Sequence, residues 1–277
     1  MRVIFAKSIG FCTGVKRAIG ITENSLKKDL KPVQFLGETV HNEKVMERIK
    51  KGGGKLIFSP KEAVAGTLVI RAHGYAPFNA PKDIVIEDAT CPLVKRAQKA
   101  AQSLSKEGYR VIIIGEKKHP EIKGILGYVK KYVKNKAIVI ADEKEAEALN
   151  KIERMGVISQ TTGNPEKVNQ ILSVLKKKTK KLKWINTLCP QVVFRQKELS
   201  GFLNKASGVL VIGSETSANT RRLAEIAKAA EKQVWQVNSL EALKKIKFDV
   251  PVLGVVSGTS APDWEIKKVK KYLKNAC

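Results

Sequence analysis

A chain of 277 residues, 43% hydrophobic and only 6% aromatic, sits near the ceiling for a single core, so one tightly joined domain or several small lobes are expected. That composition excludes a disordered tail, a collagen-like repeat and a disulfide-dense secreted module. The 52 basic against 26 acidic side chains, a formal charge of +26, favour an anionic ligand, while the few aromatics offer little for base stacking.

The chain opens on a short apolar run, Arg2 to Ala6, that turns polar at Lys7. It lacks the long apolar stretch of a signal peptide, so a cytoplasmic protein is expected. Apolar runs such as Val209 to Ile212 have strand length, far short of the ~20 residues of a membrane span. With four cysteines in such a chain, metal binding or catalysis is a better expectation than disulfides.

Three of those cysteines stand in matching surroundings, each after a short strand and at the start of an amphipathic helix. They read Cys12-Thr13-Gly14-Val15-Lys16-Arg17-Ala18, Cys91-Pro92-Leu93-Val94-Lys95-Arg96-Ala97 and Cys189-Pro190-Gln191-Val192. The next strand in each unit closes on a glycine: Gly37, Gly115 and Gly213, which are 25, 24 and 24 residues past the cysteine. Four residues further stand His41, His119 and Ser217. A third strand in each unit runs into a capping signal with glutamate three positions on: Ser59 with Glu62, Asp142 with Glu145, and Asn238 with Glu241. A fourth strand closes each unit at His73-Gly74, Thr161-Thr162-Gly163 and Thr259-Ser260.

Strands alternating with helices at these spacings predict an α/β fold of three pseudo-equivalent lobes with mostly parallel sheets. The lobes are expected to span residues 1–81, with Cys12, 82–181, with Cys91, and 182–277, with Cys189 and a C-terminal helix. In such sheets ligands bind beyond the carboxyl ends of the strands, where the three cysteines and most of these polar residues fall.

One thiolate per lobe suits an iron–sulfur cluster or zinc assembled by tertiary structure, since no Cys-x-x-Cys is present. A [4Fe-4S] cluster held by three thiolates keeps one iron open as a Lewis acid. Cys277 lacks the repeated setting and reads as an ordinary small apolar residue. The three histidines, His41, His73 and His119, all follow strand ends and suit a dianion, with Ser217, Asn219 and Ser260 as further donors. Ser217 and Asn219 equally suit capping of a helix from Thr220, and Ser260 capping before Pro262. Glu121 is either an acid favoured by the first turn of its helix or a functional carboxyl. No phosphate-binding glycine loop supports nucleotide binding. A structural zinc protein and a lysine-rich RNA-binding protein with incidental cysteines remain alternatives at this point.

Ordered motifs spread along nearly the whole chain carry a resemblance. They are Gly10-Phe11-Cys12, His41-Asn42, Ala72-His73-Gly74, Asp88-Ala89-Thr90-Cys91-Pro92, His119-Pro120-Glu121, Gln160-Thr161-Thr162, Asn186-Thr187-Leu188-Cys189, Ser217-Ala218-Asn219-Thr220 and Ser257-Gly258-Thr259-Ser260-Ala261-Pro262-Asp263. Together they resemble the LytB/IspH family of 4-hydroxy-3-methylbut-2-enyl diphosphate reductases. The chain departs from that family's usual residues at Gln191, Val192, Ile125 and Ala218.

The resemblance implies an iron–sulfur oxidoreductase that reductively removes a hydroxyl from its diphosphate substrate, giving isopentenyl and dimethylallyl diphosphates at the end of the non-mevalonate pathway. It implies one central [4Fe-4S] cluster per chain, on Cys12, Cys91 and Cys189. His41, His73, His119, Ser217, Ala218, Asn219 and Ser260 would surround the diphosphate. Thr161 would bind the substrate and orient its hydroxyl, and Glu121, with His119, would serve proton delivery. Reduced ferredoxin or flavodoxin is implied as electron donor, with no membrane and no nucleic acid as partner.

Overall fold

The computed structural model describes residues 1–28, 30–130 and 137–275, so Cys277 lies outside the described residues. The chain begins with β1 (Arg2–Phe5), α1 (Thr13–Lys27), β2 (Val33–Leu36), α2 (Glu43–Lys51), β3 (Lys55–Ile57), β4 (Gly66–Ile70) and β5 (Ile84–Asp88). It continues through α3 (Pro92–Lys106), β6 (Arg110–Ile114), α4 (Pro120–Lys130), β7 (Ile138–Ile140), α5 (Glu143–Glu147), β8 (Arg154–Ser159), α6 (Pro165–Lys176) and β9 (Lys181–Trp184). The last stretch holds α7 (Pro190–Leu203), β10 (Gly208–Ile212), α8 (Ala218–Ala229), β11 (Gln233–Val237), α9 (Leu240–Leu243), β12 (Val252–Ser257) and α10 (Asp263–Asn275).

The strands form three parallel four-stranded sheets with one shared order: β3-β2-β4-β5, β7-β6-β8-β9 and β11-β10-β12-β1. The three-lobed, mostly parallel α/β expectation is thus met. Each sheet, however, closes on a strand that the divisions at residues 81 and 181 assign to the following lobe. β5 and β9 complete the first and second sheets, and β1 pairs with β12 in the register Arg2↔Val252. The edge strand of each sheet is therefore the one whose continuation reaches the next cysteine. Two compact units are distinguished: Met1–Lys16, Val40–Arg48 and Pro190–Cys277 make one, which contains the third sheet, and Arg17–Thr39 with Ile49–Cys189 makes the other, which contains the first two.

The apolar runs are parallel strands covered on both faces, which is why they read as continuous rather than alternating hydrophobics. In β10, Val209 and Val211 pack with Leu199, Phe202 and Leu223, whereas Leu210 and Ile212 pack with Val255, Ile266 and Val269. Each such buried side chain contributes about 1.5–3 kcal/mol. In the second sheet, Val111 and Ile113 meet Ala97, Leu104 and Ile122. Ile125 is fully buried in that cluster.

Helix starts follow the capping chemistry with one shift. Asp142 accepts from the Glu145 amide at α5, and Ser59 from the Lys61 amide at a short 3-10 turn, Pro60–Glu62. At α9 the cap is Ser239, which accepts from the Ala242 amide, rather than Asn238. Two glycines let α8 approach the strand ends closely. Gly213, at φ +148°, would place a Cβ 2.6 Å from Thr220 Oγ1, and a Cβ on Gly258 would collide with the same atom.

Candidate functional site

The three cysteines share one backbone anchor. The amide of Cys12 donates to the Thr259 carbonyl (3.0 Å), that of Cys91 to Ala72 (2.9 Å) and that of Cys189 to Thr161 (2.9 Å). Each acceptor lies two residues beyond the end of β12, β4 or β8, so the repeat seen in the sequence is a repeat in hydrogen bonding as well. Each cysteine immediately precedes α1, α3 or α7, and Cys91 is the N-cap residue of α3. All three are part-exposed thiols, and the Val15 amide donates to Cys12 Sγ (3.4 Å). Part-exposed sulfurs at helix N-termini suit an anionic metal-ligating thiolate, because the helix end presents amide N–H groups and a positive dipole. This donor set fits an iron–sulfur cluster or another thiophilic metal centre.

Cys12, His41, Ser217, Ala218, Asn219 and Ser260 belong to the unit with the third sheet, and His73, Cys91, His119, Glu121, Thr161 and Cys189 to the other. In the latter, Glu121 stands in the first turn of α4 and is 1% exposed. Thr161 grips both of its oxygens: the Thr161 amide donates to Oε1 and the Thr161 hydroxyl to Oε2, each at 2.7 Å. Burial pushes the carboxyl up from its ordinary value to about 7, against these two bonds, which favour the ionised form. Since the Thr161 carbonyl also receives the Cys189 amide, one residue links the acid to the cysteine turn.

His119 is 6% exposed, and its Nδ1 accepts from the Glu121 amide (3.2 Å), which leaves Nε2 to carry the proton of the neutral ring. Its ring meets that of His73 edge-on, with centroids 5.3 Å apart. Gln160 braces this corner, accepting the Glu116 amide at Oε1 (3.0 Å) and donating to the Thr162 hydroxyl (2.8 Å).

In the other unit, the Ser260 hydroxyl donates to the His41 carbonyl (3.1 Å), so Ser260 braces the histidine turn rather than capping a helix. Ser217 is the N-cap of α8, accepting the Thr220 amide (3.4 Å), and Ala218 opens the helix. The helix thus starts two residues earlier than a Thr220 start, and Asn219 lies inside its first turn instead of capping it. Asn219 is 2% exposed, and neither its Oδ1 nor its Nδ2 has a hydrogen-bond partner among the described residues. Leaving a buried amide unsatisfied costs about 1–3 kcal/mol, a cost that a ligand bonding to it would offset.

Sequence reasoning passed over Asn42, whose side chain accepts the Val45 amide (3.2 Å) at the start of α2. An asparagine just ahead of a helix was the available signal. Gln191, one of the departures from the family's usual residues, follows the third cysteine and clasps Thr13 beside the first. Gln191 Nε2 donates to the Thr13 hydroxyl (2.5 Å), and the Thr13 amide donates to Gln191 Oε1 (3.3 Å).

Comparison with known proteins places this arrangement. The family described as LytB protein matches residues 3–274. A 4-hydroxy-3-methylbut-2-enyl diphosphate reductase of Campylobacter jejuni is 36% identical over 282 residues, covering 99% of each chain. The solved E-1-hydroxy-2-methyl-but-2-enyl-4-diphosphate reductase of Plasmodium falciparum superposes with a TM-score of 0.91 at 26% identity, over 98% of this chain and 87% of that one. A solved (E)-4-hydroxy-3-methyl-but-2-enyl diphosphate reductase, described as the terminal enzyme of the non-mevalonate pathway, aligns at 33% identity with a TM-score of 0.69, over 99% and 100% of the two chains. Among the described residues no helix is long and apolar enough to cross a membrane. With a family match that spans nearly the whole chain, this protein belongs to the LytB family.

Proposed function

We propose that this chain is an oxidoreductase that converts (E)-4-hydroxy-3-methylbut-2-enyl diphosphate to isopentenyl and dimethylallyl diphosphates, the last step of the non-mevalonate pathway. Two electrons and two protons are consumed, the allylic C–O bond breaks, and the hydroxyl leaves as water. The observation that carries the reading is the buried Glu121–Thr161 pair, tied through the Thr161 carbonyl to Cys189. Family membership sets aside the structural zinc and RNA-binding alternatives.

Cys12, Cys91 and Cys189 would hold one [4Fe-4S] cluster, which would supply the electrons and a Lewis-acid iron. Thr161 sets its hydroxyl against the substrate hydroxyl and orients it. With its carboxyl poised near 7, Glu121 is part protonated at neutral pH and can hand a proton to the Thr161 oxygen as the Thr161 proton passes to the departing hydroxyl. That exchange leaves the Thr161 hydroxyl donating to Glu121 Oε2, the bond present in the structure, without moving a heavy atom. His119, with its proton on Nε2, stands beside this relay. His41, His73, His119, Ser217, Asn219 and Ser260 surround the diphosphate, and the unsatisfied Asn219 amide gives it both a donor and an acceptor. The net charge of +26 draws the polyanionic substrate at long range. The electrons come from a small one-electron carrier, reduced ferredoxin or flavodoxin, in the cytoplasm.

The test is anaerobic purification of the full chain with iron, sulfide and zinc analysis, an absorbance spectrum, and turnover with a chemical reductant. Iron and sulfide in equal amounts, broad absorption near 400 nm and formation of both products are expected. A zinc-loaded, iron-free protein that leaves the substrate unchanged would overturn the reading.

A further inference from the structure

The two helices that follow Cys12 and Cys91 each carry an arginine five residues on, Arg17 and Arg96, and the helix after Cys189 carries one six residues on, Arg195. Arg17 Nη1 donates to the carbonyl of Thr90 (3.1 Å) and Nη2 to that of Asp88 (3.3 Å), immediately ahead of Cys91. Arg96 Nη2 donates to the Asn186 carbonyl, three residues ahead of Cys189. Arg195 is 4% exposed; its Nη2 donates to the Gly10 carbonyl (2.7 Å), two residues ahead of Cys12, and its Nη1 to the carbonyls of Gly258 (3.0 Å) and Ser257 (3.1 Å). Each arginine therefore reaches the turn of the next cysteine in a closed cycle, 12 to 91, 91 to 189 and 189 to 12. None of these contacts is local, since the partners lie 62 to 185 residues apart.

From this cycle we infer that Arg17, Arg96 and Arg195 are positioning residues, each holding the backbone that presents the following cysteine to the cluster. The inference rests on the proposed cluster reading and deepens it. A guanidinium suits the task because its fork offers several fixed donors and stays charged, so it can satisfy two or three carbonyls of an irregular turn at once. Carbonyls so occupied cannot turn toward the sulfur, and the loop loses the freedom to let a ligand swing away. Arg195 spans the end of β12 and the turn before Cys12, whose amide bonds to Thr259, the next residue after Gly258.

The crossed pattern gives the test. The full chain, loaded anaerobically with iron and sulfide, is challenged with a chelator in the presence of iodoacetamide, and peptide mass spectrometry reads which cysteine is alkylated first. Arg17→Gln should release iron about five- to tenfold faster and advance Cys91, leaving Cys12 unchanged. Arg96→Gln should advance Cys189 and leave Cys91 unchanged. Because Arg96 serves one carbonyl, Arg96→Lys should restore most of the protection, while Arg17→Lys, which must replace two bonds, restores less. Both arginines are exposed, so these variants fold even if those at buried Arg195 do not. Equal acceleration of all three cysteines, acceleration of the cysteine on the arginine's own helix, or an unchanged order would overturn the assignment. If the wild-type chain takes up no iron, the cluster reading fails, yet the alkylation order of the same full chain still decides the role of the arginines.

Discussion

The polar residues of the two compact units are prepared in opposite ways. In the unit built on the first two sheets, Glu121 and Thr161 satisfy one another with two bonds of 2.7 Å. In the unit built on the third sheet, the Asn219 side-chain amide is as deeply buried but has no hydrogen-bond partner among the described residues. A completed pair fixes a proton donor's geometry and tunes its acidity, whereas an open amide gains only when a ligand arrives. Under the proposed function the completed pair performs proton transfer and the open amide binds, and substitutions should separate turnover from affinity along that line.

The largest effect is expected at the completed pair. Glu121→Gln keeps size and shape but cannot deliver a proton, so turnover should fall ~10²–10⁴-fold. Substrate affinity and the absorption near 400 nm should survive, because the carboxylate is neither a thiolate nor a partner suited to a dianion. Steady-state rates with a chemical reductant, beside substrate titration of the absorption, read both. A normal rate would reduce Glu121 to an acid favoured by its helix end, at most about 1 kcal/mol of stability.

The same pair makes stability depend on pH. Glu121 sits at about 7 when folded and near 4.5 otherwise, so the folded state holds its proton more tightly. Its contribution is complete below about pH 4.5 and is lost as pH rises through 7, a change on the order of 3 kcal/mol at most. Denaturant midpoints of the full chain between pH 5 and 8 should therefore decline, and Glu121→Gln should flatten that decline. A variant profile parallel to the wild type would show that another group titrates.

Much of this comparison was legible in the sequence, and the limits follow from what a sequence encodes. Three cysteines in matched surroundings, strands closed by glycine and polar residues at strand ends are local patterns, and they mark the turns where the cysteine amides are anchored. Partner identity is not local. Nothing in Arg2–Phe5 says that it pairs with Val252–Val255, and for the same reason β5 and β9 were assigned one lobe too late. In the sequence Asn219 suits a diphosphate donor and a helix cap equally, because an asparagine near a helix start can be either. Only the cap at Ser217, two residues earlier than a helix starting at Thr220 requires, turns Asn219 into an unsatisfied buried amide. Likewise, nothing in the sequence around the three arginines names the distant carbonyls they bond to.

Affinity should respond at the residues proposed to face the diphosphate. Asn219→Ala, like His41→Ala and His73→Ala, should weaken substrate binding by about 1.5–3 kcal/mol through lost charge-assisted hydrogen bonds. The ligand-free stability of Asn219→Ala should fall by no more than about 1 kcal/mol, since the removed amide has no partner to lose. Substrate titration and thermal melting separate the two quantities. Unchanged affinity with a large loss of stability would make Asn219 a structural residue.

The smallest effect, at Ser217, sharpens the boundary between capping and binding. Its hydroxyl accepts the Thr220 amide at 3.4 Å, a long bond for a cap, and it lies at the N-terminus of α8 next to the open Asn219. Ser217→Ala should cost about 1 kcal/mol of stability if the bond is a working cap. Ser217→Asp should recover that stability, because aspartate caps as well as serine and its charge is favoured at a helix N-terminus. The same charge would stand against a diphosphate and should weaken substrate binding well below that of the alanine variant, most strongly at low salt. If Ser217 only caps, the aspartate variant restores stability and leaves affinity alone. If it also faces the diphosphate, stability and affinity move in opposite directions on going from alanine to aspartate, a divergence that a capping role by itself cannot produce.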